Sequence, residues 1–227
     1  MNKLRLILFI SVIALSSCKK DNYDGPDSGL SGSFLDEATN ELVQMDIIRG
    51  TRIEFIEHGY ANPQSQYMIL KNDGTYANTL MFANTYTIKI SEPNFIPVPD
   101  QEIAIKGQTK LDFKVTPYIR VKEVSIVRNG SKVTATFKLQ QNVINNVQKI
   151  GLYAHSDSRV GEPMRLVMAE QQINAVTDPS HVYTLEIDLP SNSSQLKPGN
   201  NYYFRVGALI GIGGSKPNYA PAVKLGI

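Results

Sequence analysis

The chain has no tryptophan, one cysteine and three histidines in 227 residues. A single cysteine forms no intramolecular disulfide, so each folded domain must be held by its hydrophobic core. His58, His155 and His181 lie far apart. No His-Glu-x-x-His occurs and no second thiol is present, which leaves no metal-ligand spacing. A Gly-x-Ser-x-Gly elbow is missing, and with it the anchor of a serine hydrolase. Gly207, Gly211, Gly213 and Gly214 miss the Gly-x-Gly-x-x-Gly register, so a loop explains them better than a phosphate cradle. Asp73 lies in an Asn-Asp-Gly turn without EF-hand spacing. The expectation is a protein with no metal and no cofactor. Charge of one sign is lacking too: with Lys3 and Arg5 set aside, 21 basic residues face 21 acidic ones. That balance gives no footprint for nucleic acid.

What is present begins at the N-terminus. Lys3 and Arg5 precede the apolar run Leu6–Leu15, about half the ~20 residues that cross a bilayer, and small residues follow it. This is the layout of a secretory signal over residues 1–17. Its end, Leu15-Ser16-Ser17-Cys18, resembles the bacterial lipobox. The resemblance implies cleavage between Ser17 and Cys18, acylation of Cys18, and attachment to the membrane through that N-terminal lipid. Residues 18–29 are polar and turn-rich, which reads as a flexible tether. Within it, Lys20-Asp21 resembles the surface-export signals of Bacteroidetes lipoproteins, implying an outer-membrane protein exposed at the cell surface.

Beyond the tether the pattern is all-β. Period-two stretches rich in β-branched and aromatic residues alternate with Gly, Asn, Asp and Pro, as in sandwiches. Arg52-Ile53-Glu54-Phe55-Ile56 alternates outward charge with inward bulk. Tyr67-Met68-Ile69-Leu70, then Lys71-Asn72-Asp73-Gly74, then Thr75-Tyr76 predicts a hairpin, because Asp-Gly favours positive φ in both turn residues. Asn129-Gly130 predicts another. Val133, Ala135, Phe137 and Leu139 share a parity and therefore a face, as do Tyr183, Leu185, Ile187 and Leu189. Thr116-Pro117-Tyr118 marks a boundary between domains at residues 30–117 and 118–227.

Ser31–Val43, Asn72-Asp73-Gly74-Thr75-Tyr76 and Tyr86-Thr87-Ile88 are similar to the series found in carboxypeptidase-regulatory-like, or transthyretin-like, β-sandwiches. The usual Gly before that last tyrosine is replaced by Ala83-Asn84-Thr85. Leu196-Lys197-Pro198-Gly199-Asn200-Asn201-Tyr202-Tyr203-Phe204-Arg205-Val206-Gly207-Ala208 resembles the corresponding stretch of fibronectin type III domains. That resemblance makes Tyr202 a corner residue whose hydroxyl bonds back to the backbone between Leu196 and Gly199. The whole order resembles a two-domain family of Bacteroidetes lipoproteins of unknown function encoded beside SusC/SusD-like glycan-uptake pairs. It implies a role in nutrient capture with those proteins as partners, and supplies no site.

Candidate carboxylates Glu54, Glu57, Glu162, Glu170, Glu186 and Asp188 mostly alternate with apolar residues. They read as solvated strand faces rather than a glycosidase pair, so a non-catalytic protein is expected. For an oligosaccharide, tyrosine can both stack and hydrogen-bond. Tyr60 and Tyr67 flank a loop carrying Asn62 and Gln64. Tyr153, His155, Asp157 and Arg159 sit at and after a strand end, and Tyr219 lies near the C-terminus. The leading reading is an accessory glycan-binding or spacer protein. A structural module docking on a transporter or partner lipoprotein, or an adhesin subunit, is the alternative.

Overall fold

The computed structural model describes residues 24–227. The signal segment, the cleavage site at Ser17 and Cys18, and the first residues of the tether lie outside the described residues. The N-terminal half is built from β1 (Ser28–Asp36), β2 (Arg52–Glu57), β3 (Ser65–Ile69), β4 (Thr75–Met81), β5 (Asn84–Ser91), β6 (Gln101–Ile105), β7 (Gln108–Lys110) and β8 (Phe113–Val115). One sheet runs β4-β1-β7, with β8 also on β1; the other runs β3-β2-β5-β6. The alternation expected at β2 is present: Ile53 and Phe55 are buried while Arg52 and Glu54 are not. Their core closes on Phe34, whose ring stacks on Phe113 at 4.8 Å and on Phe95 at 5.3 Å.

Two expectations need correcting here. β1 begins at Ser28, inside the stretch read as tether, because Ser28 pairs with Met81 and its hydroxyl accepts the Gly107 amide. The Asp73-Gly74 turn forms, with only Gly74 at positive φ (+81°), but it does not join a hairpin. β3 and β4 enter different sheets. A turn fixes chain reversal over four residues; which sheet the next strand joins is set by burial, and here Tyr76 is buried with its hydroxyl donating to Leu111 O.

The C-terminal half comprises β9 (Ile119–Asn129), β10 (Lys132–Gln141), β11 (Val147–His155), β12 (Val167–Ala175), β13 (Tyr183–Asp188), β14 (Asn201–Ile210), β15 (Asn218–Tyr219) and β16 (Val223–Gly226). A β13-β10-β9 sheet faces a β12-β11-β14-β15 sheet, with β16 also on β14. β9 and β10 form the expected hairpin, with Gly130 alone of the predicted pair at positive φ (+59°). Val133, Ala135, Phe137 and Leu139 all point into the core, as do Tyr183, Leu185, Ile187 and Leu189. Burying each Val, Leu, Ile or Phe side chain among them contributes ~1.5–3 kcal/mol. Tyr202 is buried, and its hydroxyl accepts a 2.8 Å hydrogen bond from the Lys197 amide, five residues back.

The chain is thus two β-sandwiches in tandem, and a buried polar seam joins them. Tyr202, Phe204, Val206 and Ala208 of β14 face their own core, so Arg205 and Gly207 face the other way, under the N-terminal half. Gly207 pairs with Gly151 of β11. This bare patch takes the Tyr219 ring: a Cβ on Gly207 would stand 2.5 Å from it. Arg205 is fully buried and uses all five N–H groups. Nε donates to Ala220 O (2.9 Å), Nη1 to Met45 O (3.0 Å) and Val160 O (3.1 Å), and Nη2 to Gln44 Oε1 (3.1 Å) and Asn72 O (3.0 Å). Asn94 and Asn218 bridge the halves likewise, and Arg120 forks onto Asp36.

Candidate functional site

The structure separates the tyrosines proposed for sugar contact. Tyr153 and Tyr219 are only 2% and 6% exposed. Tyr153 donates to Glu170 at 2.8 Å, and Tyr219 donates to Asp46 at 2.7 Å while accepting the Glu162 amide. Both rings fill the seam, so neither has a face to offer a ligand. They pack against each other and Val160, and the Tyr219 hydroxyl reaches Asp46 of the N-terminal half. His155, Asp157 and Arg159 form a self-contained turn. The Asp157 amide donates to His155 Nδ1, and Asp157 accepts the Arg159 amide and guanidinium, which hold its carboxyl well below the usual carboxylate range.

Tyr60, Asn62, Gln64 and Tyr67 are all exposed, the first three on the loop entering β3 and Tyr67 on the strand. Tyr67 is 54% exposed and Ile69, two residues on, 62%. Because β3 is an edge strand and alternates, both stand on the outward face of β3-β2-β5-β6. Cross-strand register lays out the neighbours: Ile69 beside Arg52 beside Ser91, then Tyr67 beside Glu54 beside Lys89. The Arg52 guanidinium lies 5.2 Å from the Tyr67 ring centroid. Glu54 accepts the Ser65 hydroxyl.

Next to this row opens a pocket of about 410 Å³ lined by Ile47, Arg49, Gly50, Arg52, Ile69, Glu92 and Lys216. Lys216 comes from the C-terminal half, on the β14–β15 connection, so the pocket exists only where the two halves meet. Its walls are set by unusual backbone: Arg49 and Glu92 both adopt positive φ, +57° and +53°. Gly50 is required, since a Cβ there would stand 1.9 Å from Asp46 O. Glu92 is clamped by Lys216 Nζ (2.7 Å) and Arg52 Nη2 (3.2 Å). The Lys216 ammonium, with Arg52 behind it, holds the Glu92 carboxyl below the usual carboxylate range.

A second groove between the halves, of about 420 Å³, is lined by Leu42, Val43, Arg120, Lys122 and Pro221 among others. Its guanidinium is committed to Asp36 and it holds no exposed aromatic ring. Burial lifts the Asp36 carboxyl, but Arg120 and the Ala38 amide outweigh it and leave it lowered. The carboxylates weighed as catalytic are engaged instead: Glu162 and Glu170 share Lys149 at 2.7 and 3.0 Å, and Glu186 binds Lys132 at 2.7 Å.

The sequence singles out Tyr67 and its loop as candidates, but gives no sign of Arg49, Glu92 and Lys216 beside them. Those three lie in separate segments with no shared motif: the pairing of β2 with β5 brings Arg49 and Glu92 near each other, and the meeting of the halves adds Lys216. Arg52 was visible as outward charge, without a partner.

Comparison with known proteins follows the same division. Residues 28–116 match the model described as the N-terminal domain of a protein of unknown function, DUF3823. Residues 119–224 match the domain of unknown function DUF3823_C. None of the curated proteins matches. Among solved structures, a proposed carbohydrate-binding protein from Bacteroides uniformis is 38% identical, with 89% of this chain and 100% of that one covered and a TM-score of 0.84. DUF3823 proteins from Parabacteroides merdae (20% identity, TM-score 0.75, 89% and 100% covered) and Bacteroides ovatus (24%, 0.72, 88% and 98%) share the fold. The chain belongs to the DUF3823 family.

Proposed function

We propose that the protein is a non-catalytic carbohydrate-binding protein, lipid-anchored through Cys18 in the outer membrane and serving a SusC/SusD-like nutrient-uptake system as an accessory. The observation that carries the binding reading is the exposed Tyr67 ring, steadied by Arg52, beside a pocket at the domain junction. A fixed aromatic face next to polar groups suits a sugar ring, which stacks its C–H face and hydrogen-bonds its hydroxyls. The carbohydrate-binding description of the 38% identical relative supports it. The anchoring and surface readings rest on Leu15–Cys18 and Lys20-Asp21 in the sequence.

Affinity electrophoresis of the soluble chain through gels containing neutral and acidic polysaccharides tests the reading. At least one polysaccharide should retard the wild type, and Tyr67→Ala should restore free migration. Retardation by none would favour the second reading, a protein-interaction module. That reading has its own support in Leu80 and Phe82, 72% and 49% exposed at the end of β4 and the connection to β5.

A further inference from the structure

The pocket beside Tyr67 carries more positive than negative charge. Arg49, Arg52 and Lys216 line it against one carboxylate, Glu92. Glu92 already engages Arg52 and Lys216, and Arg49 makes no ion pair among the described residues. Arg52 gives Glu92 only Nη2, its Nη1 group has no hydrogen-bond partner among the described residues, and Nε is a buried atom without one. Ser91, the cross-strand neighbour of Arg52, also has a buried hydroxyl with no partner. The other charges nearby are accounted for: Asp46 lies behind the wall beside Arg205 and Tyr219, and Glu54 sits on the face with Lys89 as its cross-strand neighbour. The chain as a whole has no net charge once the signal is set aside, so this surplus is local rather than part of a basic surface.

We infer that this pocket binds the anionic group of an acidic saccharide, a uronate carboxylate or a sulfate ester, between Arg49, Arg52 and Lys216 while the sugar ring stacks on Tyr67. The inference rests on the carbohydrate-binding reading and adds its ligand class. Guanidinium groups suit a planar carboxylate or a sulfate because they present paired donors, and a charge-assisted bond is stronger than a neutral one. Ile47 and Ile69 form apolar wall against which such bonds are shielded from water.

The test uses the soluble chain from residue 19 onward and isothermal titration with four probes: oligogalacturonate, its methyl ester, a sulfated carrageenan oligosaccharide and a neutral xylo-oligosaccharide. Oligogalacturonate or carrageenan should bind at least tenfold more tightly than the neutral probes, and the preferred one identifies the anion as carboxylate or sulfate. Affinity should fall as sodium chloride is raised. Arg49→Ala, at an exposed position, should weaken binding about tenfold, the loss of one charge-assisted contact. Lys216→Met should weaken it comparably, and circular dichroism and the melting transition check that each variant remains folded. Equal affinity for charged and neutral probes, lost in Tyr67→Ala but untouched in Arg49→Ala, would overturn the acidic-ligand inference and leave sugar binding standing. Binding of the acidic probes that ignores both cation variants would also overturn it. No binding of any probe would overturn both readings together.

Discussion

The Arg205 guanidinium lies 4.4 Å from the centroid of the Tyr219 ring, and the hydroxyl of that ring donates to Asp46 at 2.7 Å. A cation, an aromatic face and a carboxylate are thereby stacked through the seam between the two sandwiches. Burial brings Arg205 down to about 10, with Tyr219 and Asp46 opposing the shift, so it stays charged at neutral pH. Its partners come from both halves, which makes the seam a single bonded unit rather than two surfaces in contact.

Arg205→Met should be among the most damaging substitutions in the chain. It keeps the apolar stem but leaves the carbonyls of Met45, Val160 and Ala220 and the Gln44 side-chain oxygen without this donor, while Asn72 O keeps only the Met45 amide. Breaking a buried charged network in this way costs ~3–5 kcal/mol. Urea unfolding of wild type and variant measures it, and a loss under ~1 kcal/mol would show that the seam does not hold the halves together. Arg205→Lys should recover only part of the loss, since an ammonium has three donors and no fork.

Stability should depend on pH through Asp46. Burial pushes its carboxyl up to about 6, against hydrogen bonding from Tyr219 and the charge of Arg205. The folded state therefore holds this proton more tightly than the unfolded chain. The resulting stabilisation is fully present below the ordinary carboxylate range, near pH 4, and is lost as pH rises through about 6. Asp46→Asn, which still accepts from Tyr219, should remove that slope. The difference in unfolding free energy between wild type and variant, followed from pH 4.5 to 7.5, should change by about 2 kcal/mol. A constant difference would contradict the raised value.

Tyr202→Phe should cost ~1–2 kcal/mol, because the Lys197 amide loses its acceptor. Tyr203 faces the other side of β14, where its ring lies 5.9 Å from Lys224 Nζ and its hydroxyl makes no hydrogen bond among the described residues. Tyr203→Phe should stay within ~0.5 kcal/mol. Equal losses in urea melts would remove the corner role from Tyr202.

Cys18→Ala should abolish incorporation of labelled palmitate and shift the protein out of the membrane fraction or leave it unprocessed. Unchanged labelling would refute lipid attachment at that residue.

The sequence by itself determined which residues form strands and which face of each is apolar. Side-chain direction in a strand alternates with a period of two, a local property that Val133–Leu139 and Tyr183–Leu189 display without reference to anything distant. Tyr202 was legible for the same reason: its partner, Lys197, is five residues away. Tertiary structure decided the rest. Alternation says that Arg205 leaves its own core, but not that Gln44, Met45 and Asn72 of the other domain wait on that side to bury it. The Asp73-Gly74 turn reversed the chain as its residues require, while the sheet that β4 joined depended on pairing with β1, far along the chain. Lys216 joins Arg49, Arg52 and Glu92 only because the β14–β15 connection reaches across the seam. Local chemistry sets the period of a strand; which distant side chains become neighbours is set by how two buried faces pack, and no short stretch of sequence contains both.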